Sequence, residues 1–222
     1  STARASAMSA KVWSFQNQKG GTAKTTTSTN VACCLAEKHK KRVLLIDLDG
    51  TQGSSTDWAA ARLDSATLIP CVIMGKTLYR DLPRISSGYD FVIIDGVPRV
   101  DELTVAAIKA ADLVVIPVQP SQYDIWATGD TVQLVKDRQE VTDGKLKAVI
   151  MVARAIAGTV IERTAREAMA SFELPILTTQ THQRVAFVGG VGSGLSVMDL
   201  PEDDPARQEI EDLTAELLKV AE

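Results

Sequence analysis

Residues 11–27, KVWSFQNQKGGTAKTTT, decide the fold. KVWSF (11–15) reads as a short buried strand. A glycine pair follows, flanked by Lys19 and Lys24, and then a row of hydroxyl-bearing residues opens a stretch of helical character over 25–38. Strand, glycine-rich loop and helix in that order are the setting of a phosphate-binding loop. Glycines let backbone N–H groups approach phosphate oxygens, and the helix N-terminus adds partial positive charge. In such a loop Lys24 reaches the β- and γ-phosphates, Thr25 offers its hydroxyl to Mg²⁺, and Thr26 lies near the α-phosphate.

Outward from this loop, six more segments read as buried strands: 42–47, 69–74, 89–95, 112–118, 146–153 and 174–177. Most are near-continuous apolar runs, as expected of parallel strands covered on both faces. Helix-like stretches alternate with them at 54–62, 77–86, 101–110, 123–141 and 159–171. Asp204 and Pro205 open a terminal helix. Strand alternating with helix predicts a doubly wound α/β fold, with a mostly parallel sheet and helices on both faces. One domain over 10–222 is the simplest organisation. Residues 1–9 read as a disordered leader, native or appended, with Met8 a candidate native start.

Composition narrows the function classes. Of the 222 residues 45% are hydrophobic and 23% charged, the balance of a globular protein with a substantial core. No apolar run is long enough to cross a bilayer. The three cysteines, Cys33, Cys34 and Cys71, form no CxxC pair, which argues against disulfide, iron–sulfur and structural zinc sites. His39 and His182 stand isolated and receive no metal or catalytic role. Net charge is −4, so DNA contact requires a local basic patch. Candidates are Lys136, Arg138, Lys145 and Lys147, with Arg163, Arg166 and Arg184, each group interspersed with acids.

Three aspartates stand at or just past the ends of strands after the loop. LLIDLDGTQGSS (44–55) carries Asp47 and Asp49, and YDFVIIDGVP (89–98) ends its apolar run at Asp95. An apolar strand ending in aspartate, about seventy residues after a phosphate loop, is a Walker B strand, so Asp95 is expected to hold Mg²⁺ through water. VIPVQPSQYDIWATG (115–129) follows another strand, and VARAIAGT (152–159) another.

The order K-G-G-x-x-K-T-T resembles the deviant Walker A loop of the ParA/MinD family of ATPases. The resemblance extends through D-x-D at 47–49 and the P-V-x-P-S-x-x-D segment carried by Pro117, Val118, Pro120, Ser121 and Asp124. It implies that Lys19 reaches across a nucleotide-sandwich dimer to the partner's phosphates, and that Lys19, Lys24 and Asp49 are the catalytic set. It implies that Lys19, Gly20, Gly21, Thr22, Ala23, Lys24, Thr25 and Thr26 hold ATP or ADP, with Arg154 at the base. Thr25, Asp47 and Asp95 would serve the metal, and Asp49 would position the attacking water. The length and motif order are similar to short ParA-type plasmid partition proteins. That implies a cytoplasmic, nucleoid-associated Mg-dependent ATPase of DNA segregation. Such a protein forms a homodimer or polymer, binds DNA non-specifically, and is reset by a centromere-binding adaptor. The acidic stretch from Glu202 onward departs from a basic membrane-binding tail. Two other departures bear on rate: Ala23 stands where the family has glycine, and Gly50–Thr51–Gln52 replaces Pro-Gln. The alternatives are an ATP-binding scaffold with little turnover and a MinD-like positioning ATPase for another cargo.

Overall fold

The computed structural model describes residues 9–50, 55–64 and 66–222; positions 1–8 of the expected leader 1–9 and positions 51–54 of the loop after Asp49 lie outside them. Six strands form one sheet: β1 (Lys11–Phe15), β2 (Val43–Asp47), β3 (Cys71–Ile73), β4 (Phe91–Asp95), β5 (Leu113–Val118) and β6 (Lys147–Val152). Every pairing is parallel, in the order β3-β2-β4-β1-β5-β6. The helices are α1 (Lys24–Glu37), α2 (Ser55–Ala61), α3 (Leu78–Ile85), α4 (Glu102–Ala110), α5 (Gln122–Ala127), α6 (Gly129–Val141), α7 (Val160–Met169), α8 (Val185–Val188), α9 (Gly190–Ser193) and α10 (Pro205–Val220).

The strands are apolar throughout because both faces are covered. Trp13, Phe15, Leu45 and Ile93 point into a cluster closed by α1 and α10, through Val31, Leu35, Leu213 and Leu217. Val12, Leu44, Ile46 and Ile94 meet Leu78, Leu82 and Ala107 from α3 and α4 on the other face. A third cluster joins β5 and β6 to α5, α6 and α7. The alternation of Val12 and Trp13 between clusters is the two-residue period of a strand.

The expected α/β fold is present, with three corrections. The seventh strand, 174–177, is reduced to a single bridge between Ile150 and Ile176. Pro175 has no N–H to extend a ladder, and after Leu177, whose N–H donates to the Ile150 carbonyl at 2.8 Å, the amides of Thr178 and Thr179 donate to the Glu216 carboxylate at 2.7 and 2.8 Å. The expected helix 123–141 is two helices, broken at Thr128. The helix expected over 159–171 stops at Met169 and tightens into a 3-10 turn over Ala170–Phe172. The turns at α8, α9 and Val197–Asp199 had no sequence expectation.

This order places the site. The chain leaves β1 toward β2 on one side and later leaves β4 for β5 on the other, so the crevice at the carboxyl end of β1 is a topological switch point. In register, Phe15 pairs with Asp95 and Asp95 with Asp47. The phosphate loop and two aspartates therefore emerge side by side.

Candidate functional site

The loop after β1 is anchored before it turns. The Asn17 amide donates to the Pro117 carbonyl at 2.8 Å and to Thr128 Oγ1 at 3.0 Å. The Gln18 N–H donates to Thr131 Oγ1 at 3.1 Å, and the Gln18 side-chain amide donates to the Ala127 carbonyl. Gly21, at φ +76°, then turns the chain, and its carbonyl accepts from Gln119 Nε2 at 2.6 Å and Arg154 Nη1 at 3.3 Å. Ala23 sits at the start of α1 in the left-handed region, φ 68° and ψ 26°. This is the backbone a glycine would adopt freely, which explains the residue expected there. Its methyl packs against the core cluster under α1.

Lys24 lies buried in the loop, its Nζ donating to the Lys19 carbonyl at 3.0 Å. Burial pushes its pKa down to about 8, against the opposing pull of Asp95 and Asp49. Thr25 Oγ1 donates to Asp95 Oδ2 at 2.7 Å, and Ser55 Oγ donates to the same oxygen at 2.6 Å. Burial pushes the Asp95 carboxyl up to about 6. Asp95 Oδ1 is buried with no hydrogen-bond partner among the described residues. An orphaned carboxylate oxygen beside a threonine hydroxyl suits a hard cation that keeps part of its water shell, so Thr25 and Asp95 fit Mg²⁺.

Asp47 sits one strand over. Its Oδ1 accepts from the Asp49 N–H at 2.8 Å, and its Oδ2 accepts from the Thr56 N–H at 2.9 Å and the Thr56 hydroxyl at 2.7 Å. In this arrangement Asp47 pins both ends of the loop that carries Asp49. Asp49 itself is buried at the cleft wall.

Lys24, Thr25 and Asp49 line a cleft of about 550 Å³; Asp47 and Asp95 do not line it and are tied to it through Asp49 and Thr25. One side is the loop, Gly20 through Thr27; the other is Arg154, Thr181–Arg184, Phe187, Val188 and Ile210. Arg154, expected at the base, is on this wall, with its guanidinium turned to the Gly21 carbonyl. The residues 181–188, and the hydroxyl pair Ser55 and Thr56, were missed from sequence. The signal for the first was available: 178–184 is a polar stretch after an expected strand, and ligand-binding loops occupy the carboxyl ends of strands. His182 lines the cleft with its Nδ1 2.8 Å from Glu209 Oε1.

The Lys19 side chain turns away from these groups. It does not line the cleft, and its Nζ lies over the Tyr123 ring, 4.9 Å from the centroid. Of the basic candidates, Arg166 and Arg184 are committed internally, to the Leu177 carbonyl and Gln180 and to Glu209 respectively. Lys136 pairs with Glu173 at 3.2 Å.

Comparison with known proteins agrees with this geometry. A family model described as an AAA domain matches residues 10–77 and 63–148. The maintenance of carboxysome distribution protein A of Halothiobacillus neapolitanus is 28% identical over 186 residues, 83% of this chain and 85% of that one. The sporulation initiation inhibitor protein Soj of Bacillus subtilis is 32% identical, over 64% of this chain and 72% of that one. Among solved structures, an ATP complex of Cyanothece McdA superposes with a TM-score of 0.76 at 17% identity, over 94% of this chain and 96% of that one. Cobyrinic acid a,c-diamide synthase from Mycobacterium smegmatis, with an ATP analogue and magnesium, superposes with a TM-score of 0.74 at 25% identity, over 95% and 94%. Loop, aspartates and relatives agree on one conclusion: the chain belongs to the ParA/MinD family of P-loop ATPases, positioning ATPases whose solved structural neighbours hold adenine nucleotides with magnesium.

Proposed function

We propose that the chain is a DNA-segregation ATPase of the short, plasmid type, switched by a nucleotide-sandwich dimer. The observation that carries this reading is the divergence of the two lysines. Lys24 serves its own cleft, whereas Lys19, five residues away on the same loop, points out of it toward α5. An amine that does not face its own nucleotide is free to grip a neighbour's. Chromosome-partition relatives support DNA as the cargo. The chain then works in the cytoplasm on the nucleoid, with a small centromere-binding adaptor stimulating turnover.

In this reading Lys24 and the loop amides hold the β- and γ-phosphates. Asp49, pinned through Asp47, orients the attacking water. Thr25 and Asp95 would hold Mg²⁺, which would supply neutralisation of charge on the phosphate oxygens. Ser55 keeps the metal-side carboxylate in register with the Asp49 loop through its 2.6 Å hydrogen bond.

Light scattering with size exclusion tests the reading. The protein should be a monomer with ADP and a dimer with a non-hydrolysable ATP analogue, and Lys19→Ala should abolish the dimer while leaving ADP binding intact. Phosphate release in the presence of DNA and adaptor should vanish in Asp49→Ala. A monomer in both nucleotide states removes the sandwich; tight ATP binding without release makes the chain a scaffold.

A second reading has a specific observation behind it. The match to the carboxysome distribution protein spans 83% of this chain, which favours a carboxysome-like cargo in place of a plasmid. Pull-down of a cargo adaptor that binds no centromere DNA would select it.

A further inference from the structure

Lys19 is held at both ends by groups that also build α5. Its N–H donates to Asn17 Oδ1 at 2.9 Å, and Asn17 donates in turn to Thr128 Oγ1. Thr128 donates to the Asp124 carbonyl at 2.7 Å, closing the last turn of α5. The first turn is fixed by Ser121, whose Oγ accepts from the Asp124 N–H at 3.0 Å and donates to the Asp124 carboxylate at 2.5 Å. Tyr123 lies between these two fixings, so the loop and the ring keep a set distance. The Asp124 carboxylate, the nearest acid in sequence, is occupied by Ser121 and leaves the ring as the amine's partner.

We propose that Tyr123 is the resting receptor for the Lys19 ammonium, holding it on its own chain until a partner's triphosphate competes for it. The inference rests on the sandwich reading above. A cation over an exposed ring is a weak contact, and weakness suits the task. A carboxylate in the same place would hold the amine against the phosphates, and no partner at all would leave its long stem disordered. Tyr123 is 63% exposed and stands beside Trp126, 78% exposed, with ring centroids 6.2 Å apart, so the amine can leave without unpacking the core. Tyr123 is thus a positioning residue, acting through Lys19 and not on the nucleotide.

The consequence is that Tyr123 opposes dimerisation. Two contacts break for every symmetric dimer formed, so losing both rings should tighten the ATP-state dimer about fivefold to thirtyfold. Tyr123→Leu, which keeps bulk and removes the ring, should lower the dimer dissociation constant by that factor in sedimentation with a non-hydrolysable ATP analogue. Tyr123→Phe, which keeps the ring, should behave as wild type. In the ADP-bound monomer the Lys19 ε-methylene protons should resonate upfield in wild type and Tyr123→Phe, and near the free-lysine position in Tyr123→Leu. Absence of that ring-current shift in wild type overturns the proposal, as does a Tyr123→Leu dimer that is unchanged or weaker. A Lys19→Ala protein that dimerises normally overturns the sandwich reading itself, a separate outcome.

Discussion

At the scale of single residues, Ala23 is where local chemistry and global demand conflict. The helix N-terminus must turn through the left-handed region, and a side chain there costs roughly 1–2 kcal/mol. Part of that returns in the unfolded state, where alanine has fewer conformations to lose than glycine. Ala23→Gly should therefore stabilise the nucleotide-free protein by up to about 1 kcal/mol, roughly 2–4 °C in melting temperature for a chain of this size. Calorimetry checks it, and a lower melting point would show that the methyl's packing against the core outweighs the strain. The residue types of the site were legible because phosphate loops demand them. The direction of Lys19 was not, since it depends on Tyr123, 104 positions later in the chain.

At the scale of elements, the strands were read correctly where apolar runs end in a charged residue, as at Asp47 and Asp95. The errors arose where a distant group captured a backbone or side-chain donor. Thr128 breaks the long helix because its hydroxyl is engaged by Asn17, which local periodicity cannot register. The segment after α9 is held by a similar long-range tie. The Arg62 side chain is fully buried at the end of α2, over the Trp58 ring. It donates to the Thr67 carbonyl at 2.8 Å, the Gly194 carbonyl at 2.8 Å and Asp199 at 3.0 Å. Gly194 permits this approach: at φ +68°, an added Cβ would meet the Ala61 and Arg62 backbone at 2.4 Å. Arg62→Met should leave two carbonyls and Asp199 Oδ1 without their partner, Oδ2 still accepting from the Ser196 N–H, and lower stability by about 3 kcal/mol in urea unfolding. Asp199→Asn in the same background should recover part of that loss. A cost under about 1 kcal/mol would mean that water replaces the guanidinium.

At the scale of the whole molecule, two ionisable groups buried at the cleft give the nucleotide-free fold its own pH dependence. Asp95 keeps its proton up to about 6 in the folded chain, against an ordinary value of 3.8. Between those values the folded state binds more protons than the unfolded state, so this group makes stability fall as pH rises. Lys24 works in the other window: it loses its proton near 8 when folded and at 10.5 when unfolded, so stability gained from it rises with pH across that range. Exposed carboxylates held low by basic partners, such as Asp81 beside Arg80, act against the Asp95 limb. The difference between wild type and Asp95→Asn isolates it. Asp95→Asn should be more stable than wild type by about 3 kcal/mol at pH 7 and by little at pH 4, measured by urea midpoints without nucleotide. Equal stability at both pH values would refute the buried charge. Sequence alone determined the phosphate loop, the aspartates that follow it and the alternation that makes the sheet parallel, because each depends on neighbours a few positions apart. Tertiary structure alone decided the strand order that sets Asp95 beside β1 and Asp47 one strand further, the wall of Thr181–Arg184 across the cleft, and the outward turn of Lys19. Those are contacts between segments far apart in the chain, and only the packed sheet brings them together.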